Sequence, residues 1–260
     1  MLKGELRYRA PVSGDRLLAF SALEVKPAHP SVALIEVSAP KTNDSRACAI
    51  QVAVRFSSVA SKDEASLIGW QIAKDILDRV AFDQNISIEE PAAPEGHFVR
   101  VGPDGTEVGS ALAFDGITCF MRAHVVMEPD GRDLARLEKR LNARRLKGRT
   151  YYPLFRSALK AENPVEKYLA LYRILLVIYD DKQQDVDRFF HDEFGDKLTP
   201  RPGQKTKPGK PKIKETVFTR LRNEFAHIRK RTRLETTREQ MEQHMERLIE
   251  RAKRAVEKKG

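Results

Sequence analysis

Residues 163–178 read NPVEKYLALYRILLVI, and this stretch decides the fold of the second half of the chain. Asn163, Pro164 and Glu166 form a helix start, with asparagine as the N-cap, proline at the first helical position and glutamate at the third. The helix that follows is apolar on almost every side. Such a helix is stable when other helices surround it, so the pattern predicts the centre of a helical bundle.

Further helices are predicted on both sides of this central one, at 133–145, 151–161, 185–194 and about 234–258. The last of them carries an apolar stripe at the 4-3 spacing of a bundle core, formed by Met241, Met245, Leu248, Ala252 and Ala255. The bundle as a whole is therefore expected to span residues 130–260.

A basic stretch without core-forming residues interrupts the bundle. Leu198–Lys212 contains four prolines, two glycines and no acidic residue, so we expect a mobile loop at about 196–212. One interpretation is that the loop holds an RNA backbone, and the other is that it is a solubilising linker. The candidate RNA-binding residues are Arg201, Lys205, Lys207, Lys210 and Lys212.

The first half alternates apolar and polar residues as β-strands do. Strands are predicted at 17–25, 32–37 and 47–56, with a three-stranded meander at 97–127 that turns at Asp115-Gly116. One amphipathic helix is predicted at 64–82. The expected fold class is α+β, with an N-terminal antiparallel β-rich domain at 1–129 that packs one helix, followed by the C-terminal all-α bundle.

Charge divides the chain in the same way. Residues 131–260 carry 34 Lys and Arg against 19 Asp and Glu, whereas residues 1–130 carry 13 against 18. A basic half is the electrostatic property expected of a nucleic-acid-binding protein, and solvated helix faces are the plainer explanation.

Composition excludes several classes of protein. No apolar stretch approaches the ~20 residues of a membrane span, so we expect no membrane partner. The N-terminus MLKGELRYRA lacks the apolar core of a secretory signal. Cys48 and Cys119 lie among alternating apolar residues and are expected to be buried thiols in the cytoplasm. The scattered histidines have no ligand spacing, so no metal and no other cofactor is expected.

The most informative helix is predicted at 213–228. On a helical wheel its core-facing stripe consists of Phe218, Leu221, Phe225 and Ile228. Asn223 and His227 share the opposite face, and Arg222 lies on the flank, long enough to reach them. A histidine can take the proton of a ribose 2′-hydroxyl, and an arginine can stabilise the charge that develops on the phosphate.

The segment Arg222-Asn223-Glu224-Phe225-Ala226-His227 (RNEFAH) resembles the signature of the HEPN superfamily. In that signature an arginine is followed by four to six residues and a histidine within an all-α bundle. The form RNxxAH is similar to the Apea-like and MauJ-type branches, which often carry a β-rich region before the bundle. The resemblance covers roughly residues 150–258 and implies that the bundle is HEPN-like.

The resemblance implies a homodimer in which two motifs face one cleft and cut RNA without metal, leaving a 2′,3′-cyclic phosphate. Arg222 would stabilise the transition state, His227 would act as acid and base, and Asn223 would shape the site. A defence or toxin-like role is implied as well.

Other interpretations stay open at this point. The bundle is either a nuclease or a non-catalytic module for dimerisation and for binding nucleic acid or protein, with an N-terminal sensing domain. Arg222 and His227 have the alternative of being surface residues without a joint role. In a third hypothesis the acidic half neutralises the basic half and inhibits the free protein.

Overall fold

The computed structural model describes residues 1–13, 16–40, 49–104, 106–108, 112–114, 125–127, 129–201, 213–227 and 234–260. The chain divides into two compact units, Met1–Leu146 and Lys147–Gly260. The first unit contains an antiparallel sheet and the second is helical, so the predicted α+β fold class is confirmed. Among the described residues, no helix is long and apolar enough to span a membrane.

The strands of the first unit are β1 (Leu2–Ser13), β2 (Arg16–Leu18), β3 (Phe20–Val25), β4 (Val32–Ala39), β5 (Ala49–Val59), β6 (Ser87–Ile88), β7 (Glu95–Arg100), β8 (Leu112–Phe114) and β9 (Val125–Met127). The main sheet has the order β3-β4-β5-β1-β7-β8, with antiparallel neighbours throughout, and β6 pairs with the end of β1.

The structure describes only part of the predicted meander at 97–127. β7 and β8 pair as expected, but β9 pairs in parallel with β2, more than a hundred residues earlier in the chain. A local alternation of residues does not report a partner at that separation, and the pairing of residues 115–124, most of the predicted third strand, lies outside the described residues. The predicted turn at Asp115-Gly116 lies outside the described residues, as do Cys48 and Cys119.

Helix α1 (Lys62–Gln84) packs on β1 and β5 and confirms the predicted helix at 64–82. Ser61 caps it by accepting the backbone N–H of Glu64 at 3.1 Å. Gly69 lets the helix approach the sheet closely, because a Cβ atom there would lie 2.5 Å from the hydroxyl oxygen of the buried Tyr8.

Helix α2 (Gly131–Asn142) belongs to the first unit, whereas the sequence placed it in the second. Arg79 of α1 donates from Nη1 to three carbonyl oxygens at the end of α2, those of Arg140 at 3.2 Å, Leu141 at 2.7 Å and Ala143 at 3.2 Å. The buried Asp83 accepts from Arg140 Nε at 2.9 Å. These contacts satisfy the last carbonyls of α2 and hold it against α1.

The second unit contains α3 (Tyr152–Lys160), α4 (Pro164–Ile178), α5 (Gln183–Phe194), β10 (Thr199–Pro200), β11 (Lys214–Glu215), α6 (Val217–Ala226), α7 (Leu234–Gln243) and α8 (Met245–Lys259). The Asn163 side chain accepts the N–H of Val165 at 2.9 Å and caps α4. α4 contacts α3, α5, α6, α7 and α8, so it is the central helix that the sequence predicts.

Two of the predicted helices differ from the structure. The helix expected at 213–228 begins at Val217, because Lys214 and Glu215 pair with Pro200 and Thr199 in a short antiparallel ladder. The helix expected at about 234–258 is interrupted at His244, whose ring packs edge-on against Phe218 at 5.7 Å between centroids. α7 and α8 are therefore separate helices.

Candidate functional site

The start of α6 is fixed by α5. The backbone N–H and the hydroxyl of Thr216 both donate to Oδ1 of Asp187, at 2.8 and 2.7 Å. Burial raises the pKa of the Asp187 carboxyl, while hydrogen bonds from Thr219 and Thr216 act in the opposite direction. Thr216 is itself the N-cap of α6, and the helix is thereby held at a defined place in the bundle.

The two-residue ladder of β10 and β11 brings Arg201 to the same place. The backbone N–H of Arg201 donates to the carbonyl of Ile213 at 2.9 Å. Its side-chain Nε donates to Oε2 of Glu215, also at 2.9 Å. The Glu215 side chain is only 2% exposed and the Arg201 side chain is 30% exposed, so the carboxylate is shielded from water while the arginine stays partly accessible.

Glu215 connects Arg201 to the motif. The Asn223 amide donates from Nδ2 to the same Oε2 atom of Glu215 at 3.1 Å. Arg222 in turn donates from Nη1 to Oδ1 of Asn223 at 3.0 Å. Arg201, Glu215, Asn223 and Arg222 thus form one continuous hydrogen-bonded chain, and we call these four residues the Glu215 network.

A buried tyrosine lies next to this network. The Tyr172 hydroxyl of α4 is 2.6 Å from the Thr219 hydroxyl, and either oxygen can donate. Burial raises the pKa of Tyr172 well above its ordinary value, and the positive charge of Arg222 acts in the opposite direction. The phenol is therefore neutral at physiological pH.

His227 lies beyond the last turn of α6 rather than within the helix. Its backbone N–H donates to the Asn223 carbonyl at 3.0 Å, but its ψ of 72° leaves the helical range, so it is the C-cap residue. Its side chain is exposed, and within the described part of the chain it makes no hydrogen bond or ion pair. The expectation that Asn223 and His227 share a helical face is corrected in this respect, because the helix ends at Ala226.

The remaining motif residues have structural contacts. Phe218 and Leu221 are fully buried, as the wheel predicts, and Phe225 is partly buried. Glu224 lies 3.9 Å from Arg220 Nε and accepts from the Thr237 hydroxyl at 3.4 Å. Glu224 and Arg220 are four positions apart on α6, the spacing of a pair on one helix face. Ile228 lies outside the described residues.

A second polar cluster lies on the other side of Phe218. Asp196 accepts from Arg251 Nε at 2.6 Å and from Arg247 Nη2 at 2.7 Å, and the Arg251 guanidinium lies 5.0 Å from the Phe218 ring centre. Burial and the charge of Arg247 lower the pKa of His244. His244 is thus a partly buried residue of the bundle.

The structure brings together four of the sequence-predicted site residues. Arg222 and Asn223 are in direct contact, Arg201 is joined to them through Glu215, and His227 follows one turn later. The other four candidates, Lys205, Lys207, Lys210 and Lys212, lie outside the described residues. Where the chain is described, no group of three His, Cys, Asp or Glu residues is placed to hold a metal ion.

Sequence reasoning missed Glu215 and Asp187, which hold the site together. One signal was available for Glu215, because it is the single acidic residue between Asp196 and Glu224. A single carboxylate among so many basic residues is expected to form an ion pair with one of them. Asp187 carries no comparable signal, because its neighbours Asp185 and Arg188 make it look like part of an ordinary charged helix face.

Comparison with known proteins gives one family. Residues 151–258 match the model of the family described as methylamine utilization protein MauJ. The match covers α3 to α8 and includes every residue of the Glu215 network as well as His227. No curated protein and no solved structure matches the chain.

Proposed function

We propose that this protein is a metal-independent endoribonuclease of the HEPN type, in which Arg222, Asn223 and His227 act on one phosphodiester. The match of residues 151–258 to the MauJ family model and the RNEFAH segment support this assignment. The resemblance extends the proposal to a defence or toxin-like role.

One observation carries the proposal. Arg222 and Asn223 are joined side chain to side chain at 3.0 Å, and an exposed histidine follows one turn later on the same backbone. A polar pair with a buried anchor has a defined orientation, and the neighbouring imidazole is accessible to a substrate. These are the properties required of a positioned transition-state stabiliser and an acid–base group.

The chemistry assigns a role to each side chain. Histidine changes its charge near neutral pH, so His227 can take the proton of the attacking 2′-hydroxyl or protonate the departing 5′-oxygen. The Arg222 guanidinium carries five N–H groups, of which Asn223 occupies one. The remaining N–H groups match the oxygens of the pentavalent phosphorane, whose negative charge they stabilise.

The proposal includes a homodimer, as the resemblance implies. Two copies of the motif would then face one RNA strand. Each exposed His227 would lie opposite the motif of the other copy. Light scattering on the purified protein measures the mass of the active species. An active monomer would contradict this part of the proposal.

The test is cleavage of labelled single-stranded RNA in the presence of EDTA. We expect the wild type to produce fragments with 2′,3′-cyclic phosphate ends, and His227→Ala to cut about 10²–10⁴-fold more slowly. His97→Ala is the matched control, because His97 is exposed on β7 in the first unit. Dependence on a divalent metal, or undiminished cleavage by His227→Ala, would overturn the assignment.

The Glu215 network also favours a second candidate function. The Asn223 amide is hydrogen-bonded at its oxygen by Arg222 and at its nitrogen by Glu215, so this part of the motif has partners without any substrate. A bundle of this kind can bind RNA through Arg201 and Arg222 without cutting it. Equal RNA affinity of wild type and His227→Ala, with no product from either, would establish the binding module instead.

A further inference from the structure

A groove lies directly beside the Glu215 network. It has a volume of about 360 Å³ and lies between the start of α5 and the residues that flank the β10–β11 ladder. Its walls include Lys182, Gln183, Gln184, Asp185, Arg201 and Ile213. Pockets for small ligands start at roughly 300 Å³, so the groove is large enough for a nucleobase.

Arg201 belongs to both the groove and the network. Its Nε lies 2.9 Å from Glu215 Oε2, and Asn223 Nδ2 lies 3.1 Å from the same oxygen, so these two nitrogens are at most 6.0 Å apart. One nucleotide can bridge this distance. A strand whose phosphate lies beside Asn223 would therefore place a neighbouring nucleotide at the groove.

The groove walls have the chemistry that reads a base. Gln183 and Gln184 supply amide donors and acceptors, which suit the Watson–Crick edge of an unpaired base. The Nε2 atom of Gln183 is buried and has no hydrogen-bond partner among the described residues, so rotation of this amide toward the groove would break no hydrogen bond of that nitrogen. Gln184 is exposed, and Ile213 adds an apolar contact for a ring face.

Charge argues for a base rather than a second phosphate. Arg201 is paired with Glu215, and Asp185 lies in the groove wall with Lys182, so the described lining has no excess of positive charge. A site for a phosphate alone would have an excess of positive charge. A balanced wall with two amides fits a neutral group that both donates and accepts hydrogen bonds.

We propose that this groove is a nucleobase subsite, which holds the base next to the cleaved bond and gives the protein a base preference. The inference rests on the proposed function, because RNA is the proposed ligand. Arg201 contributes to both parts of this arrangement, since its Nε is fixed by Glu215 and the residue also lines the groove. A guanidinium plane is a stacking surface for an unpaired base.

The test measures binding, so that it does not depend on cleavage. The His227→Ala protein is titrated with labelled single-stranded A9, C9 and U9 RNA at one fixed salt concentration. We expect the tightest and weakest of these affinities to differ by at least about fivefold. Adding Gln183→Ala and Gln184→Ala should reduce the difference to within about twofold, whereas adding Gln243→Ala, an exposed glutamine of α7, should leave it unchanged.

The outcomes separate this inference from the proposed function. Equal affinity for the three RNAs, or a base preference that survives the loss of both glutamines, would overturn the subsite. A preference that requires the glutamines in a protein whose wild type cuts no RNA in EDTA would support the subsite and end the nuclease assignment. Cleavage in EDTA without any base preference in binding would support the nuclease assignment and end the subsite.

Discussion

Glu215 is the residue on which the geometry of the candidate site depends. It is 2% exposed and accepts from two side chains, Arg201 and Asn223, through one oxygen. Asn223 can donate to Glu215 only with its NH₂ group turned toward that carboxylate, which leaves Oδ1 to accept from Arg222. Glu215 thereby determines which way the amide points, and the amide in turn positions the guanidinium.

The first prediction concerns replacement of this carboxylate. We expect Glu215→Ala to lower the free energy of unfolding by about 1–3 kcal/mol, because the Asn223 amide loses its acceptor in a largely buried place. It should also reduce RNA cleavage. Glu215→Gln keeps an acceptor oxygen and should have the smaller effect on both.

Urea denaturation and the cleavage assay measure these two effects on the same proteins. Glu239→Ala, on the exposed side of α7, is the control and should match the wild type in both. If Glu215→Ala unfolds and cuts like the wild type, the carboxylate does not position the motif.

The second prediction concerns the pH dependence of stability through Asp187. Burial raises the pKa of this carboxyl in the folded protein, so the folded chain retains the proton to a higher pH than the unfolded chain does. The contribution of Asp187 to stability is therefore greatest when it is protonated. That contribution is lost as the pH rises from the ordinary carboxyl value through the raised one.

Asp187→Asn removes the titration and keeps an oxygen that can accept from Thr216. We expect the variant to gain stability relative to the wild type as the pH is raised from about 4 to about 7, as measured by urea unfolding at each pH. Asp192→Asn, exposed on the same helix, should show no such trend. A variant that loses stability relative to the wild type over this range would mean that the ionised carboxylate stabilises the fold.

The motif residues were predictable from sequence, but their supporting residues were not. Arg222, Asn223 and His227 lie within six positions, so spacing alone groups them. Glu215 reaches Arg201 across fourteen positions and depends on the β10–β11 ladder, which is too short to leave a pattern. The sequence predicts that His227 lies within the helix, but the helix ends one residue earlier, at Ala226. A helical wheel cannot show where a helix ends.

At the scale of elements, α8 is fixed to the end of α5 by a buried ion pair. Arg251 donates to both carboxylate oxygens of Asp196, at 2.6 and 3.0 Å, and both side chains are at most 5% exposed. The guanidinium also lies 4.4 Å from the Phe194 ring centre. The buried charge is therefore compensated by a bidentate contact and by aromatic faces.

The third prediction follows from this contact. Asp196→Ala leaves the buried Arg251 charge with only the exposed Glu250 carboxylate, at 3.5 Å, and we expect it to lower the free energy of unfolding by about 3–5 kcal/mol. Adding Arg251→Met removes the stranded charge, so the double variant should be more stable than Asp196→Ala alone.

Guanidinium denaturation of the two variants and the wild type measures this difference. Glu193→Ala, which removes the surface pairs with Arg254 and Lys258, is the control and should cause only a small change. A double variant that is less stable than Asp196→Ala would show that Arg251 acts through packing rather than charge.

The sequence predicted the elements with strong periodicity and missed one with a weaker signal. α1 and α4 follow their apolar patterns closely, since burial on one or all sides is what produces those patterns. β1 was not singled out, although the buried residues Leu6, Tyr8, Ala10 and Val12 alternate along it. Arg7 and Arg9 between them made the segment look like a charged terminus rather than a central strand.

At the scale of the whole molecule, the change in charge and the division of the structure do not coincide. The excess of basic residues begins at about 130, whereas the units divide after Leu146. The residues between them form α2, whose Arg136 and Arg140 pair with the buried Asp83 of α1. Part of the positive charge counted for the second half is thus neutralised within the first unit. The RNA binding proposed above is accordingly expected to depend mainly on the charge of residues 147–260.

The last prediction tests which lysines contact RNA phosphates, through the salt dependence of RNA binding. Each Lys that contacts a phosphate of single-stranded RNA adds about 0.7 to the slope of log affinity against log salt, because a condensed counterion is released. We expect Lys205→Gln with Lys207→Gln to weaken binding and to reduce this slope by up to about 1.4. Titrations of one labelled RNA at several salt concentrations measure both quantities.

The matched control is Lys3→Gln with Lys26→Gln, which removes the same charge from exposed positions of the first unit and should leave the slope unchanged. An equal reduction by both pairs of substitutions would mean that RNA responds to net charge alone. A cleavage rate that rises with salt, while binding weakens, would instead support inhibition of the basic unit by the acidic one, because screening weakens attraction between the two.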